Sequence, residues 1–319
     1  MNCTIEVGRI GAYINIRWIN RNKSNNETID RRPLLPTVKN EIEKRRGQTS
    51  SSTLENELTA VRSFTKYAGR SLMMADLTPG LIRGYERWLL GRGIKPNTSA
   101  CYMRSLRSVL NRCGADGSNL FKEVRTGKES TRKRAVDEDT LQRIKNTPLQ
   151  QGTFLGLARD AFLFSIMAMG MPFIDLAHLR KSDVKDGIII YNRRKTGRRV
   201  TVKMEPCMQE IIDRYSKEDS PYLFPLLRSG SDKEYRSLLC RYNRALAKLT
   251  TIMGLPLRLT SYTARHTWAS MAYRKGIPLA VISKALGHSS PVTTLAYLKE
   301  IDDSAIVQAN KRLLIEFNG

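Results

Sequence analysis

Apolar residues recur at helical spacing through the N-terminal part of the chain. Over residues 53–67 they lie three or four positions apart, which predicts an amphipathic helix with a basic stripe on another face. Two further periodic runs begin at Thr78-Pro79 and at Pro96, and a threonine cap or a first-turn proline favours helix initiation. The pattern therefore predicts three consecutive helices.

Two segments flank this helical stretch. Residues 5–19 roughly alternate between apolar and polar positions, which predicts a small β element in an N-terminal, arm-like segment, residues 1–48, with a short charged helix over 38–45. On the other side, residues 122–134 combine basic residues with glycine and hydroxyl side chains, which is typical of a flexible linker. A solvated hinge and a connector that tracks phosphate groups both fit this composition.

The second half of the chain mixes helical and strand patterns. An apolar run over residues 161–171 predicts a buried core helix. Residues 188–202 are typical of two strands around a Lys-Thr-Gly turn. Residues 301–317 carry apolar side chains at helical spacing, which fits either the protein's own core or a helix that docks on a neighbour. The predicted fold class is mainly α with a small β-sheet.

The charge balance narrows the class of partner. The chain has 54 Lys and Arg residues against 30 Asp and Glu, a net charge of +24, which indicates a polyanionic partner. No apolar run reaches the roughly 18 residues of a spanning helix, which argues against a membrane. The first ten residues lack the long apolar stretch of a signal peptide, so we expect a cytoplasmic protein.

Metal and cofactor chemistry has little support in the sequence. The five cysteines are scattered without a Cys-x-x-Cys pair, and the chain has only three histidines. We therefore expect no zinc site, no disulfide framework and no cofactor.

One ordered set of motifs lies in the C-terminal half. Tyr262 precedes Arg265 by three residues, which puts both on one face of a helix. A Leu-Gly-His-Ser-Ser turn that contains His288 follows, and Tyr297 lies nine residues after that histidine. Together with the Lys-Thr-Gly turn, this set resembles the catalytic domain of tyrosine recombinases, the phage-type integrases, over residues 135–319.

The helices of residues 49–121 are similar to the SAM-like core-binding domain of the same family, a bundle that clamps one face of a DNA duplex. The resemblance thus implies an N-terminal segment, this domain, the basic linker of residues 122–134 and the catalytic domain. Under this interpretation the following basic residues are expected to contact DNA: Arg62, Lys66, Arg104, Arg107, Arg132, Lys133, Arg134, Arg193, Arg194 and Arg198.

The resemblance implies a role for each motif residue. Tyr297 would be the nucleophile that forms a 3′-phosphotyrosyl bond, and its phenol, with a pKa of about 10, attacks well only beside cations. Arg265 would hold two phosphate oxygens with its planar fork. His288 would hydrogen-bond the scissile phosphate and help to handle the Tyr297 proton. Lys195 would protonate the leaving 5′-oxygen, with phosphate binding alone as the alternative.

Two positions depart from the common family pattern. Pro172 stands where the motif Gly-Leu-Arg-x-x-Glu/Asp has its catalytic arginine, while Asp175 matches the acid. Tyr262 stands where the family usually has histidine; a phenol donates a hydrogen bond to phosphate but carries no positive charge at neutral pH. At both positions the sequence resembles integrases of mobile elements in Bacteroidetes-like lineages.

Something should compensate for the missing arginine. Arg159 is the candidate, since it begins the apolar helix that ends near Pro172. Pairing of Arg159 with Asp160 or with solvent is the alternative, and Arg180 is another available donor. His266 is expected to pack and brace its helix.

The resemblance implies a site-specific DNA recombinase that works as a homotetramer on two duplexes and is nucleoid-associated when DNA-bound, with accessory DNA-bending proteins as further partners. Two alternatives stay open at this point: a non-catalytic DNA-binding protein that kept the fold, and a type IB topoisomerase.

Overall fold

The structure is a computed structural model that describes residues 30–127, 129, 135–150, 152–288 and 294–295. Two compact units divide the chain between residues 129 and 130. The predicted β element of residues 5–19 and the predicted helix of residues 301–317 lie outside the described residues.

The first unit is a bundle of helices. Its described residues form α1 (Leu34–Glu43), α2 (Ser51–Ala68), α3 (Pro79–Gly91), α4 (Pro96–Arg112) and α5 (Gly117–Leu120). Each helix contributes apolar side chains to one shared core. Aromatic packing anchors its centre, where the rings of Phe64 and Tyr85 meet edge to face at a centroid distance of 5.1 Å.

Local sequence explains where these helices begin. The Ser50 hydroxyl accepts a hydrogen bond from the Thr53 backbone N–H, and the Thr78 hydroxyl accepts one from Leu81. Pro96 occupies the first turn of α4, where a missing N–H costs nothing. The three helices predicted from the periodic runs are confirmed as α2, α3 and α4.

Helix α1 belongs to this bundle. Its buried face, Leu34, Val38 and Ile42, joins the core that α2 and α4 form. The boundary that the sequence placed at residue 48 therefore cuts through the unit. Three apolar residues at helical spacing show that a helix has a buried face, but not which neighbour covers it.

The second unit combines helices with a small sheet. Its described residues form α6 (Glu138–Asn146), α7 (Phe154–Met167), α8 (Phe173–Ala177), β1 (Val184–Lys185), β2 (Ile188–Asn192), β3 (Arg199–Lys203), α9 (Pro206–Tyr215), α10 (Asp232–Ile252), α11 (Thr263–Arg274) and α12 (Leu279–Ala285). The expected fold class, mainly α with a small β-sheet, is confirmed.

The sheet is antiparallel with the strand order β1-β2-β3. Tyr191 lies opposite Val200, and Ile189 lies opposite Val202; these pairs face the core because side chains alternate along a strand. The predicted hairpin is confirmed as β2 and β3. The two-residue strand β1 was not predicted, since so short a strand carries no detectable period.

Helix α7 lies at the centre of the second unit. It packs against α6, α9, α10 and α11, and most of its side chains are buried, which confirms the predicted core helix with an earlier start and end. In the part of the chain that the structure describes, no helix is long and apolar enough to cross a membrane.

A buried carboxylate ties α7 to α9. Asp160 is almost fully buried, and its oxygens accept hydrogen bonds from Arg159 Nε at 2.7 Å, Arg214 Nη1 at 2.6 Å and Tyr215 Oη at 2.8 Å. A buried charge is tolerated where donors surround it in this way. Asp160 therefore fixes the position of α9 on the central helix.

We expect Asp160→Ala to lower the free energy of unfolding by about 3 kcal/mol, because three donors lose their shared acceptor. Equilibrium urea denaturation measures this change. Asp213→Ala is the matched control: Asp213 is exposed and, among the described residues, bonds only Gln209 across one turn of the same helix α9, so its loss should change stability by less than about 0.5 kcal/mol. Equal effects of the two variants would contradict this role for Asp160.

Candidate active site

Four parts of the second unit meet around one buried guanidinium group. They are the start of α11, the turn at residues 286–288 after α12, the turn at residues 169–171 after α7, and the β2–β3 hairpin. Arg265 is at the centre and is only 2% exposed. Its Nη1 donates to the Gly170 carbonyl at 2.9 Å, and its Nη2 donates to the Leu286 carbonyl and lies 3.1 Å from His288 Nε2.

The turn at Gly170 is shaped by its contact with Arg265. Gly170 has φ +69°, and a Cβ placed there would lie 3.0 Å from Arg265 Cα. Met169 before it also has positive φ, at 56°, which is unusual for a residue with a side chain. This backbone presents the Gly170 carbonyl to the guanidinium group.

His288 is buried and hydrogen-bonded through both ring nitrogens. Nδ1 lies 2.8 Å from Thr294 Oγ1, and Nε2 faces Arg265. Because a guanidinium group only donates, Nε2 must accept and the ring proton sits on Nδ1. Burial, followed by the charges of Arg265, Arg193 and Lys195, lowers the pKa of His288 to about 4. His288 is therefore neutral at physiological pH.

Arg193 holds the same turn from the hairpin side. Its Nη1 donates to the Leu286 carbonyl at 2.8 Å and the Gly287 carbonyl at 3.0 Å, and its Nε lies 3.7 Å from Asp175 Oδ2. The Leu286 carbonyl thus accepts from both buried arginines. The sequence placed Arg193 on the DNA backbone; the structure instead buries this side chain, leaving 6% of the residue exposed.

The strand pattern contains a signal for this burial. Residues two apart on a strand share a face, so Arg193 follows Tyr191 and Ile189 inward beyond the end of β2. Gly287 completes the fit: it has φ +60°, and a Cβ there would lie 2.6 Å from Arg193 Cδ. The glycine of the Leu-Gly-His turn is therefore required by the arginine that crosses it.

Asp175 at α8 links Arg193 to the hairpin backbone. Its Oδ1 accepts from the Arg194 N–H at 2.9 Å. Burial raises the pKa of this carboxyl, while the Arg194 hydrogen bond and the charge of Arg193 oppose that shift. Asp175, the expected supporting acid, thus holds the hairpin backbone and faces Arg193.

The remaining hairpin residues lie at the surface. Lys195 and Arg194 have exposed side chains, and Thr196 Oγ1 donates to the Gly287 carbonyl at 3.2 Å. Arg198 donates to the His288 carbonyl at 2.6 Å. Side chains of the hairpin therefore bind the backbone carbonyls of the turn at residues 286–288, and the Lys195 ammonium group stays accessible.

Two further predicted residues lie at the start of α11. Tyr262 is 43% exposed, and its ring meets the half-buried His266 ring edge to face at 5.1 Å. The phenol is thus presented at the surface, with His266 packed against it.

Arg159 lies away from this cluster. It is near the start of α7, whereas Gly170 follows the end of that helix, and its contacts are Asp160 and the Thr147 carbonyl at 2.7 Å. This geometry favours the alternative in which Arg159 is paired with Asp160. Arg180 is exposed and lies over the ring of Tyr222, 6.0 Å from its centroid.

Four predicted residues lie outside the described part of the chain: Tyr297, Arg132, Lys133 and Arg134.

The predicted DNA-contacting residues of the first unit are described. Arg62 and Lys66 line an open groove of about 330 Å³ together with Trp88 and Tyr102. Arg104 is exposed and donates to the Thr126 carbonyl at 2.5 Å. Arg107 is half-buried beside Gly117.

Among the described residues, no group of His, Cys, Asp or Glu side chains is arranged to hold a metal ion.

The cluster has the chemistry of a phosphate site. Two buried arginines and an accessible lysine supply positive charge, and a neutral histidine supplies a proton acceptor. Preorganised cations of this kind stabilise the negative charge that develops at phosphorus during phosphoryl transfer.

Comparison with known families agrees with this chemistry. Residues 134–303 match the phage integrase family, and residues 33–118 match the phage integrase SAM-like domain. Because the first match covers more than half of the chain, the protein belongs to the phage integrase family. The SAM-like match begins at residue 33, which agrees with the place of α1 in the first bundle.

Curated relatives are recombinases. Tyrosine recombinase XerC of Rickettsia canadensis is 24% identical over 258 residues, which span 76% of this chain and 84% of that protein. A tyrosine recombinase of Pseudothermotoga lettingae is 30% identical over 163 residues, 49% of this chain and 54% of the relative. The protein is accordingly an enzyme of site-specific DNA recombination.

Solved structures share the fold. The Tn1549 transposon integrase in complex with transposon right end DNA aligns with a TM-score of 0.65 at 14% identity, covering 87% of this chain and 99% of that one. A lambda integrase dimer bound to a COC′ core site aligns with a TM-score of 0.60 at 16% identity, covering 83% and 76%.

The lowered pKa of His288 predicts how stability depends on pH. In the unfolded chain a histidine titrates at about 6.5, so between that pH and about 4 the unfolded state binds more protons than the native state. The stability that comes from keeping His288 neutral is complete above pH 6.5 and is lost as the pH falls. Replacing His288 with glutamine should therefore flatten the rise of unfolding free energy between about pH 4 and pH 6.5. Urea denaturation at stepped pH measures both slopes, and identical slopes would contradict the assignment.

Proposed function

We propose that this recombinase cuts and rejoins DNA through a covalent bond between Tyr297 and a 3′-phosphate. The observation that carries the proposal is the cluster at the Leu286 carbonyl, where Arg265, Arg193 and the neutral His288 meet. Tyr297 lies nine residues after His288 in the sequence.

The reaction balances with these groups alone. The Tyr297 oxygen bonds to phosphorus as its proton passes to His288, and the bond from phosphorus to the 5′-oxygen breaks. Lys195, exposed on the hairpin, gives a proton to the departing 5′-oxygen. A 5′-hydroxyl from another strand then attacks the phosphotyrosine and releases Tyr297, so the energy of the broken bond is kept for religation.

Arg193 supplies the second cation in place of the arginine absent at Pro172. Its guanidinium group shares the Leu286 carbonyl with Arg265, which keeps the two groups close together. Nη1 is engaged by two carbonyls and Nε faces Asp175, whereas Nη2 makes no hydrogen bond within the described residues. That edge of the fork is available to a phosphate oxygen.

The first unit and the linker are proposed to bind the DNA duplex. The groove with Arg62 and Lys66 also contains Arg92, which lies over the Trp88 ring at 4.9 Å from its centroid. Together with the net charge of +24, this supports a core-binding domain that is joined through residues 122–134 to a catalytic domain, residues 135–319.

We further propose a homotetramer on DNA. A lambda integrase tetramer bound to a Holliday junction has the same fold, with a TM-score of 0.61 at 18% identity over 82% of this chain and 76% of that one. Pro172 and Tyr262 support membership of the subgroup from Bacteroidetes mobile elements. Action on the nucleoid in the cytoplasm, with accessory DNA-bending proteins, completes the proposal.

The nucleophile is tested with a nicked suicide duplex that carries the recombination site. The wild-type protein should form an SDS-resistant protein–DNA band, and Tyr297→Phe should abolish it while gel-shift binding is retained, since only the attacking oxygen is lost. Tyr273→Phe, a half-buried tyrosine of α11, is the matched control and should form the band normally. An adduct that survives Tyr297→Phe would overturn the assignment.

The role of Arg193 is tested by loss and rescue. Arg193→Gln should slow suicide cleavage by roughly 100-fold to 1,000-fold, the cost of one preorganised donor. Adding Pro172→Arg, which returns a guanidinium group to the position the family pattern uses, should restore part of the rate. Cleavage by Arg193→Gln at the wild-type rate would refute the proposal that Arg193 takes the role of the arginine absent at Pro172.

A further inference from the structure

Backbone N–H groups just before α11 are bound by side chains of α10. In the approach segment, residues 259–261, the Leu259 N–H donates to Thr250 Oγ1 at 2.9 Å and the Ser261 N–H donates to Asn243 Oδ1 at 2.8 Å. A backbone donor outside regular structure needs an acceptor of this kind where water is excluded. Two side chains of one helix therefore hold the chain where it enters the next.

We propose that Asn243 and Thr250 are positioning residues that set where the Tyr262 phenol meets a DNA phosphate. Tyr262 follows the approach segment directly and is the N-cap of α11. The proposal rests on the proposed function, because the phosphate concerned is the one that the recombinase cuts.

Each of the two side chains is itself held by α10. Asn243 Nδ2 donates to the Leu239 carbonyl at 3.0 Å, and Thr250 Oγ1 donates to the Leu246 carbonyl at 2.8 Å. An amide and a hydroxyl each combine donor and acceptor functions. Because each donor is bound to the backbone of α10, the remaining acceptor is fixed in its direction towards the approach segment.

Both acceptors belong to one face of a long core helix. Asn243 and Thr250 are seven residues apart in α10, which is about two helical turns. Leu246 and Leu249 of the same helix are buried in the core of the second unit, and Leu259 of the approach segment is 0% exposed. The approach segment is thus fastened at two points to an element that is packed in the core.

This hold reaches Tyr262 through a single peptide bond. Tyr262 is 43% exposed, whereas Ser261 before it is half-buried and bound to Asn243. A phenol donates a hydrogen bond without a charge, so its effect on a phosphate oxygen depends on distance and direction. A misplacement of about 1 Å can lower a rate by about 100-fold. Loss of the Asn243 acceptor would therefore displace the phenol without removing it.

Four variants separate this role from a general disturbance of α10. Asn243→Ala and Thr250→Val each remove one acceptor from the approach segment, and Thr250→Ser keeps its hydroxyl. Thr251→Val is the matched control: Thr251 is the next residue of α10, is exposed, and donates within the helix to the Ala247 carbonyl at 3.2 Å.

Single-turnover cleavage of the suicide duplex at saturating DNA is measured for each full-length variant, alone and combined with Tyr262→Phe. Asn243→Ala and Thr250→Val should each slow cleavage by about tenfold to 100-fold, and by no more than Tyr262→Phe does. In the Tyr262→Phe background the same two changes should add less than about threefold, because no hydroxyl remains to be positioned. Thr250→Ser and Thr251→Val should cleave at close to the wild-type rate.

Hydrogen exchange of the protein without DNA tests the hold itself. Thr250→Val should speed exchange of the Leu259 amide, and Asn243→Ala should speed exchange of the Ser261 amide, each by about tenfold or more. Thr251→Val should leave both amides as protected as in the wild-type protein.

Rate effects of Asn243→Ala and Tyr262→Phe that multiply fully would overturn the positioning role, as would cleavage by Asn243→Ala at the wild-type rate. Equal slowing by Thr250→Val and Thr251→Val would do the same. Unchanged exchange at both amides would overturn the hold. A wild-type protein that forms no adduct would instead refute the proposed function, and the exchange measurement does not depend on cleavage. The two failures are therefore distinguishable.

Discussion

Two arginines from distant parts of the sequence donate to one backbone carbonyl, that of Leu286. This shared acceptor holds the turn that carries His288 between α11 and the β2–β3 hairpin. A carbonyl oxygen has two lone pairs and can satisfy both donors at once. The two positive-φ glycines follow from the same contact, since Gly170 passes against Arg265 and Gly287 passes beneath Arg193. The geometry of the site is therefore set largely by backbone groups, which hold their positions better than flexible side chains do.

Burying two guanidinium groups is costly unless their donors find partners. Carbonyls of the two turns provide those partners, and Asp175 provides the nearby carboxylate. The net charge of the cluster stays positive, which lowers the pKa of His288 and keeps its ring neutral. A bound phosphate would complete the balance, because its oxygens add the negative charge that the cluster lacks. Under the proposed function, this excess of positive charge would stabilise a pentacoordinate phosphorus more strongly than the ground state, because the pentacoordinate state carries more negative charge.

Much of the fold could be predicted from the sequence, because helices α2, α3 and α4 and the hairpin carry clear periods and capping residues. The motif spacing also indicated that Arg265 and His288 belong to one site. The burial of Arg193 was missed, since a charged residue beside other basic residues in a turn favours solvent. Its partners are carbonyls more than 90 positions later, at Leu286 and Gly287, and no local pattern reveals them. The hypothesis that Arg159 replaces the missing arginine is not supported, and here the competing contact is local: Arg159 pairs with Asp160, the adjacent residue.

The replacement of an arginine by Pro172 fits the local backbone. Pro172 is the N-cap of α8 with φ −61°, a value that proline favours, and its carbonyl accepts from the Asp175 N–H at 2.9 Å. This proline therefore helps to place Asp175, which in turn faces Arg193. Under the proposed function the second cation, Arg193, lies on the hairpin instead of at the start of α8, on the same element as Lys195. Phosphate binding and protonation of the leaving group would then depend on one hairpin, so a shift of that hairpin would withdraw both functions together.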